Sequence, residues 1–272
     1  MMLTYDICDV APYINWAYFY FAWQLRGEAE QRQTRREAEA FLNDRLTGRY
    51  QTHALFLILD ARADGDDILV ACEGGSEKRL PMLRQQQAGS DCLCLADFVA
   101  DCHDAPAGDA LSQIGLFATS VDRGMESDFD DDPYQKMMAQ LLADRLAEAT
   151  AERMHEEVRK HYWGYAKSER LSIHEMHQEH FQGIRPAVGY PALPDASLNF
   201  LLDVLLDMRQ IGITLTESGA MRPHASVSGL MLAHPKAHYF AVGKIGEDQL
   251  TDYARRRQMP VTQLRKFMTA NL

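Results

Sequence analysis

The chain has 272 residues, of which 46% are hydrophobic and 25% charged, and a net charge of −11. That length fits one large domain or two small ones, with enough buried surface for a substantial core. The acidic balance excludes a nucleic-acid backbone as the main partner, because such binders carry a basic footprint.

Cys8, Cys72, Cys92, Cys94 and Cys102 are odd in number, and Cys92 and Cys94 lack a matching second pair. They read as reduced thiols of a cytoplasmic protein rather than as a disulfide framework or a zinc site.

In chain order, the aromatic run Tyr13–Leu25 is too short to span a bilayer and lacks a basic lead, so it is expected to be a buried segment. Glu28–Leu46 is predicted to be an amphipathic helix with Ala38, Phe41, Leu42 and Leu46 on its apolar face. Ala54–Leu59 is rich in strand formers and ends in the turn-like Ala63–Asp67. Ile68–Cys72 then reads as its antiparallel partner. A loop is expected at Asp104–Asp109 and another strand at Ile114–Ala118.

Asp130–Asp132 followed by Pro133 is a helix start, because carboxylates favour the positive end and proline suits the first turn. No further proline or glycine occurs until Gly164, which predicts one long helix with Met137, Met138, Leu141, Leu142, Leu146, Ala149, Met154 and Val158 as its stripe. Helices are expected at Ser172–His180 and Ala196–Arg209, then short strands at Ile213–Thr216, Ser226–Leu232 and Tyr239–Val242. Two short helices split at Met259-Pro260 close the chain. With few β-α-β units, this order predicts an α+β fold, a mainly antiparallel twisted sheet flanked by helices.

The densest chemistry lies in Arg185-Pro-Ala-Val-Gly-Tyr-Pro-Ala-Leu-Pro-Asp195, eleven residues with three prolines and one glycine. The prolines remove backbone donors and fix φ near about −65°, so the segment is a stiff turn rather than a helix or central strand. Gly189 permits positive φ or close approach to a ligand. An arginine, a phenol and backbone amides on such a loop suit a small molecule with a carboxylate and a flat ring, the guanidinium fork being the natural carboxylate partner. Alternatively, Arg185 caps a helix or pairs with an acidic side chain. Tyr190 could equally be an ordinary interfacial aromatic.

On the long helix Asp144, Glu148, Glu152 and Glu156 recur every four residues, a spacing at which like charges repel and a solvated face is usual. His174, His177 and His180 are spaced three apart. On a helix the first and last diverge by about 120°, so they read as a surface cluster rather than a metal site. Asp101-Cys-His103 opens like a cobalamin-binding D-x-H-x-x-G motif, but Pro106 stands at the glycine position, so it reads as a loop.

The loop, with its lead-in Gly183-Ile184, resembles the R-x-x-x-G-Y segment of the AdoMet-binding activation domain of cobalamin-dependent methionine synthase. The likeness continues, in order, through Tyr13-Ile-Asn-Trp16, Leu142–Ala149, Ala151–Arg159, Trp163–Ala166, Leu215–Ser218, Ala225–Gly229, His234-Pro235 and Tyr239–Val242. It is sparse over 1–115 and dense over 116–272. The resemblance implies a single domain of that kind over 1–272, standing alone, with the cobalamin module on a separate chain. It implies S-adenosylmethionine as ligand, cobalamin carried by the partner methionine synthase chain, and a flavodoxin-like electron donor. The implied activity is reductive methylation of cob(II)alamin; the alternatives are a non-catalytic AdoMet-binding adaptor or an activator of a different corrinoid methyltransferase.

By resemblance, Asn15, Glu148, Arg185, Ala187, Gly189, Tyr190, Tyr239 and Phe240 lie at the AdoMet site, with Tyr190 near the corrin. Asp144 meets the histidine released from the partner's cobalt. These implied roles favour function for Asp144 and Glu148, and solvated structure for Glu152 and Glu156. Asn15 replaces the family's aspartate and Phe240 a tyrosine. Departures at Leu193, Asp195–Asn199, Arg222 and His224 are expected to alter the fine geometry of the site.

Overall fold

The computed structural model describes residues 1–86, 91–100, 112–268 and 271. In chain order the elements are β1 (Met2–Asp6), α1 (Ile7–Val10), α2 (Trp16–Ala22), α3 (Glu28–Phe41), β2 (Gln51–Asp64), β3 (Asp67–Ala71), β4 (Glu77–Pro81) and β5 (Ser112–Val121). There follow α4 (Gly124–Ser127), α5 (Pro133–Glu157), α6 (Ile173–His177), α7 (Leu198–Leu206), β6 (Thr214–Leu215), β7 (Met221–Arg222), β8 (Ser226–Leu232), α8 (Glu247–Arg256) and α9 (Val261–Leu264). Among the described residues, no helix is long and apolar enough to cross a membrane.

The main sheet is antiparallel, with strand order β4-β3-β2-β5-β8. β2 is long enough for two partners on one edge: β1 pairs with its first residues and β3 with its last. β5 and β8 read as nearly continuous apolar runs because both of their faces are covered. Phe117, Val121, Val227 and Met231 face the core built with α5. Ile114, Leu116, Leu230 and Leu232 face the core built with α7. A third cluster joins Leu83 and Val242 to α8 and α9 through Leu250, Tyr253 and Leu264.

The long helix forms as its sequence predicts. Asp132 caps it, accepting from the amides of Tyr134 and Gln135 at 2.9 and 3.2 Å. It widens into a π turn over Val158–Tyr162 before Gly164, at φ 75°, ends it. Leu142, Leu146, Met154 and Val158 are fully buried, whereas Met137, expected on the apolar stripe, is exposed.

Other expectations fail in instructive ways. Tyr239–Val242 is not a strand; it is irregular chain, held by Val242 N donating to the Pro191 carbonyl. Local patterning gives little sign of β1 or β4, since β1 is only five residues long and ends in Asp6, and β4 begins Glu-Lys-Arg. The aromatic run is buried only in part: Phe19 is in the core, while Tyr18 and Phe21 are exposed at 61% and 83%. The expected helix Ser172–His180 keeps only α6, because Glu179 adopts positive φ. Asp207, also at positive φ, ends α7 before Arg209. The Asp104–Asp109 loop and the Asp101-Cys-His103 motif lie outside the described residues.

Candidate functional site

Backbone pairing to β8 fixes the course of the proline-rich loop. Ile184 and Leu232 exchange backbone hydrogen bonds at 2.9 Å, and Ala187 forms a bridge to Gly229. Leu230 N donates to the Pro186 carbonyl at 3.0 Å, and Val188 N to the Ser228 carbonyl at 2.8 Å. The approach is so close that a Cβ on Gly229 would stand 2.1 Å from the Pro186 oxygen. The chain then turns at Gly189, φ 88°, whose missing Cβ faces open space, so conformation rather than crowding demands glycine there. Gly189 N donates to the Leu193 carbonyl at 2.8 Å and closes the turn.

Between this loop, α5, α2 and the segment around Tyr239 lies a cavity of about 510 Å3. It brings together Asn15, Glu148, Arg185, Ala187, Tyr190, Tyr239 and Phe240 of the sequence-based site, and also Tyr18, Arg145, Glu152, His177, Glu179 and Phe181. Gly189 shapes the loop without lining the cavity. Asp144 lies one turn away on α5, with its carboxylate 3.3 Å from His224 Nδ1, and burial, opposed by His224, raises its pKa.

Arg185 is the buried charge of the site, with only 9% of its surface exposed. Its Nη2 donates to Glu152 Oε1 at 2.6 Å, its backbone N donates to the Tyr239 hydroxyl at 2.9 Å, and its guanidinium lies 5.7 Å from the Phe117 ring centre. Burial works against this charge, but Glu152, Tyr239 and Glu148 outweigh it, and the pKa rises above the ordinary arginine value. Burial also raises the Tyr239 phenol to about 12 against the opposing pull of Arg185. Arg185 Nη1 and Glu152 Oε2 are buried without a hydrogen-bond partner.

At the mouth, Tyr190 is 51% exposed and donates to Glu148 Oε1 at 2.5 Å. Glu179 is raised above the usual carboxylate range, first by burial and then by Glu152. The lining holds three carboxylates, Glu148, Glu152 and Glu179, against two guanidinium groups, Arg145 and Arg185. With His177 neutral that is one negative charge in excess, an electrostatic preference for a ligand with an added positive centre.

Several sequence-based readings are corrected here. Glu152, assigned to a solvated face, is the half-buried partner of the buried Arg185; its place in the row of carboxylates carried the signal, but only the loop's docking reveals the pairing. Glu156 is likewise engaged, accepting from Tyr13 at 2.6 Å and Lys160 at 2.9 Å. His174 and His180 are exposed, whereas His177 lines the cavity with Nε2 3.0 Å from the Tyr13 carbonyl. Asn15 spends its side-chain oxygen capping α2, accepting from Ala17 N at 3.2 Å.

The departures at 193–199 fall outside the lining. Leu193 is core, Asp195 is fully buried against Ser197, Tyr253 and Arg257, and Asn199 bonds Ser228 and the Gly219 carbonyl. They serve the scaffold. The cavity itself keeps Arg185 to Tyr190 intact.

A sequence profile described as "Vitamin B12 dependent methionine synthase, activation domain" matches residues 6–258. A solved structure described as "Crystal Structure of the MetH Reactivation Domain bound to AdoHcy" superposes with a TM-score of 0.91 at 37% identity, covering 100% of this chain and 90% of that one. With the profile spanning nearly the whole chain and the fold shared end to end, this chain belongs to the activation-domain family of vitamin B12-dependent methionine synthase.

Proposed function

We propose that this chain binds S-adenosylmethionine in the cavity around Arg185 and presents it to a cobalamin-carrying module of methionine synthase, supporting reductive methylation that returns the cofactor to use. The observation that carries the reading is the buried Arg185 guanidinium, with an unpartnered Nη1, in a cavity that carries excess negative charge. A ligand with a carboxylate, a positive centre and a flat base matches each of these features. AdoHcy in the related structure is of the same chemical class.

The corrinoid, held by the partner, supplies the methyl-accepting metal. The part played by this chain is positioning, which converts an encounter of two reactants into an oriented one. Arg185 anchors the carboxylate, Tyr239 holds the Arg185 backbone, and Ala187 and Phe240 wall the nucleoside. Tyr18 and Tyr190, both exposed at the mouth, offer aromatic surface to a planar macrocycle. Asp144, beside that mouth, is placed to take a cation from the docked module. A flavodoxin-like protein is the proposed electron source, and the cytoplasm the proposed setting.

Calorimetry with AdoMet tests the reading. Wild type binds, and Arg185→Ala, which removes a charge-assisted contact of about 1.5–3 kcal/mol, binds about ten- to a hundredfold more weakly. Adding a corrinoid protein and a reductant to wild type then yields the methylated corrinoid by absorbance. A folded protein that binds no AdoMet overturns the proposal. A second reading, an adaptor without catalysis, is favoured by Asn15, whose oxygen is committed to capping α2; it predicts docking of the corrinoid protein without methylation.

A further inference from the structure

We infer that His177 is the gate of a second way out of the ligand cavity, one that lets the spent nucleoside leave while the corrinoid module still covers the mouth; this rests on the function proposed above. Next to the cavity lies an open groove of about 610 Å3, between the start of α2, the end of α3 and α6. The residues that border both spaces are Asn15 and His177. Elsewhere the partition is a single segment thick. Tyr13 and Tyr18 border the cavity, whereas Ile14, Trp16 and Ala17 border the groove. On α6, Met176 borders the cavity, whereas Ile173 and His174 border the groove.

One side-chain bond ties the two halves of this partition. His177 Nε2 lies 3.0 Å from the Tyr13 carbonyl, and because a carbonyl only accepts, that nitrogen carries the hydrogen. Asn15 adds no second tie, since its side-chain oxygen accepts from Ala17 N on its own segment. The helix that carries His177 has five residues, lies between irregular stretches and is followed by Glu179 at φ 60°. Short elements of this kind open locally at low cost, which is what gates require. His177 itself is half-buried, and turning its ring to another staggered rotamer breaks the Tyr13 bond without moving the backbone.

The groove suits a nucleoside in transit. Trp16, with the Arg35 guanidinium 4.8 Å from its ring centre, and Ile14 supply planar and apolar surface, while Glu39 and Asn43 supply polar groups for a ribose. A ligand in the cavity is trapped once a macrocycle lies against Tyr18 and Tyr190. A route that bypasses both tyrosines makes release independent of undocking, and release steps of this kind set the turnover of many enzymes.

The test times the release of radiolabelled AdoHcy into excess unlabelled AdoHcy, from the free chain and from its complex with a cobalamin-binding module of methionine synthase. Two variants narrow the route: His177→Trp at the gate, and Ala17→Trp in the groove, at an exposed position that does not line the cavity. Thermal unfolding confirms that each is folded. The wild-type complex is expected to release AdoHcy within about threefold of the free-chain rate, and both variants to slow release from the complex by about tenfold or more. The free Ala17→Trp chain, whose mouth is open, is expected to release at the wild-type rate.

Release from the wild-type complex no faster than dissociation of the module means that the mouth is the only way out, and overturns the inference. So does an Ala17→Trp complex that releases at the wild-type rate. Slowing by His177→Trp that is equal in the free chain and the complex makes His177 a ligand contact rather than a gate, and also overturns it. Should His177→Trp fail to fold, Ala17→Trp decides by itself. Wild type that binds no AdoHcy, or no module, sinks the proposed function instead, a result distinct from the others.

Discussion

The Arg185 guanidinium is held in a low-dielectric position by one carboxylate, and its neighbour His155 reports how strict that environment is. His155 is fully buried, edge-on to Phe181 at 5.0 Å between ring centres. Burial, then Arg159 and Arg185, push its pKa well below the ordinary 6.5. Arg159 also sits 4.3 Å from the Phe181 ring centre and pairs with Glu169 at 2.6 Å. In the folded protein His155 therefore stays neutral where the unfolded chain takes up a proton. The unfolded state binds more protons below about pH 6.5, so stability falls as pH drops through that value and is fully present above it. His155→Phe, which cannot protonate, is expected to flatten the decline in Tm between pH 7 and 5.5. A decline as steep as that of wild type would assign the pH dependence to other groups.

At the scale of elements, the site is a loop bolted to a sheet edge opposite a helix. α5 presents Glu148 and Glu152 one turn apart on one face while burying Leu146 and Met154 on others, so a single rigid element sets the spacing of the carboxylates. Burial of each such apolar side chain contributes about 1.5–3 kcal/mol. The facing wall depends on β8 lying close to Pro186. A methyl on Gly229 would meet the Pro186 oxygen at 2.1 Å, Ala187 Cα at 2.8 Å and Phe117 Cε1 at 2.9 Å, and two of these three are backbone atoms that cannot swing aside. Gly229→Ala is expected to cost about 1–3 kcal/mol in chemical denaturation and to weaken ligand binding, since the loop must lift from the sheet. Unaltered affinity in calorimetry would show that the loop's seat on β8 does not position Arg185.

At the scale of the whole molecule, the C-terminal helices are tied to the site loop by a buried polar knot. Asp195 accepts from Ser197 N, Ser197 Oγ and the Tyr253 hydroxyl, each at 2.9 Å, and from Arg257 Nε at 3.2 Å. Arg257 is almost fully buried, so removing its partner strands a charge. Asp195→Ala is expected to destabilise by about 3–5 kcal/mol, read as a lowered Tm, while the folded protein keeps its ligand affinity because the knot lies outside the cavity. A loss below about 1 kcal/mol would mean that α8 is held by its apolar contacts with Leu83 and Val242 instead.

Much was legible in the sequence where local chemistry decides. Asp132-Pro133 and Gly164 bound the long helix, the apolar run Ser226–Leu232 is a strand, and the stiff loop carries the arginine of the site. Local patterning failed where tertiary pairing decides. β1 and β4 exist because neighbouring strands offer them an edge, Tyr239–Val242 runs irregularly with the Tyr239 hydroxyl accepting from Arg185 N instead of its backbone joining a ladder, and half of α2 stays exposed beside the cavity mouth. By itself the sequence determined the fold class, the family resemblance and the guanidinium at the centre of the site, because these rest on periodicity, capping and a fixed motif. Only the tertiary structure decided that Glu152 faces Arg185 and that Asp195 and Asn199 belong to the scaffold. A side chain's role depends on what is folded against it, and that neighbour lies 33 residues away for Glu152 and 58 for the Asp195–Tyr253 bond.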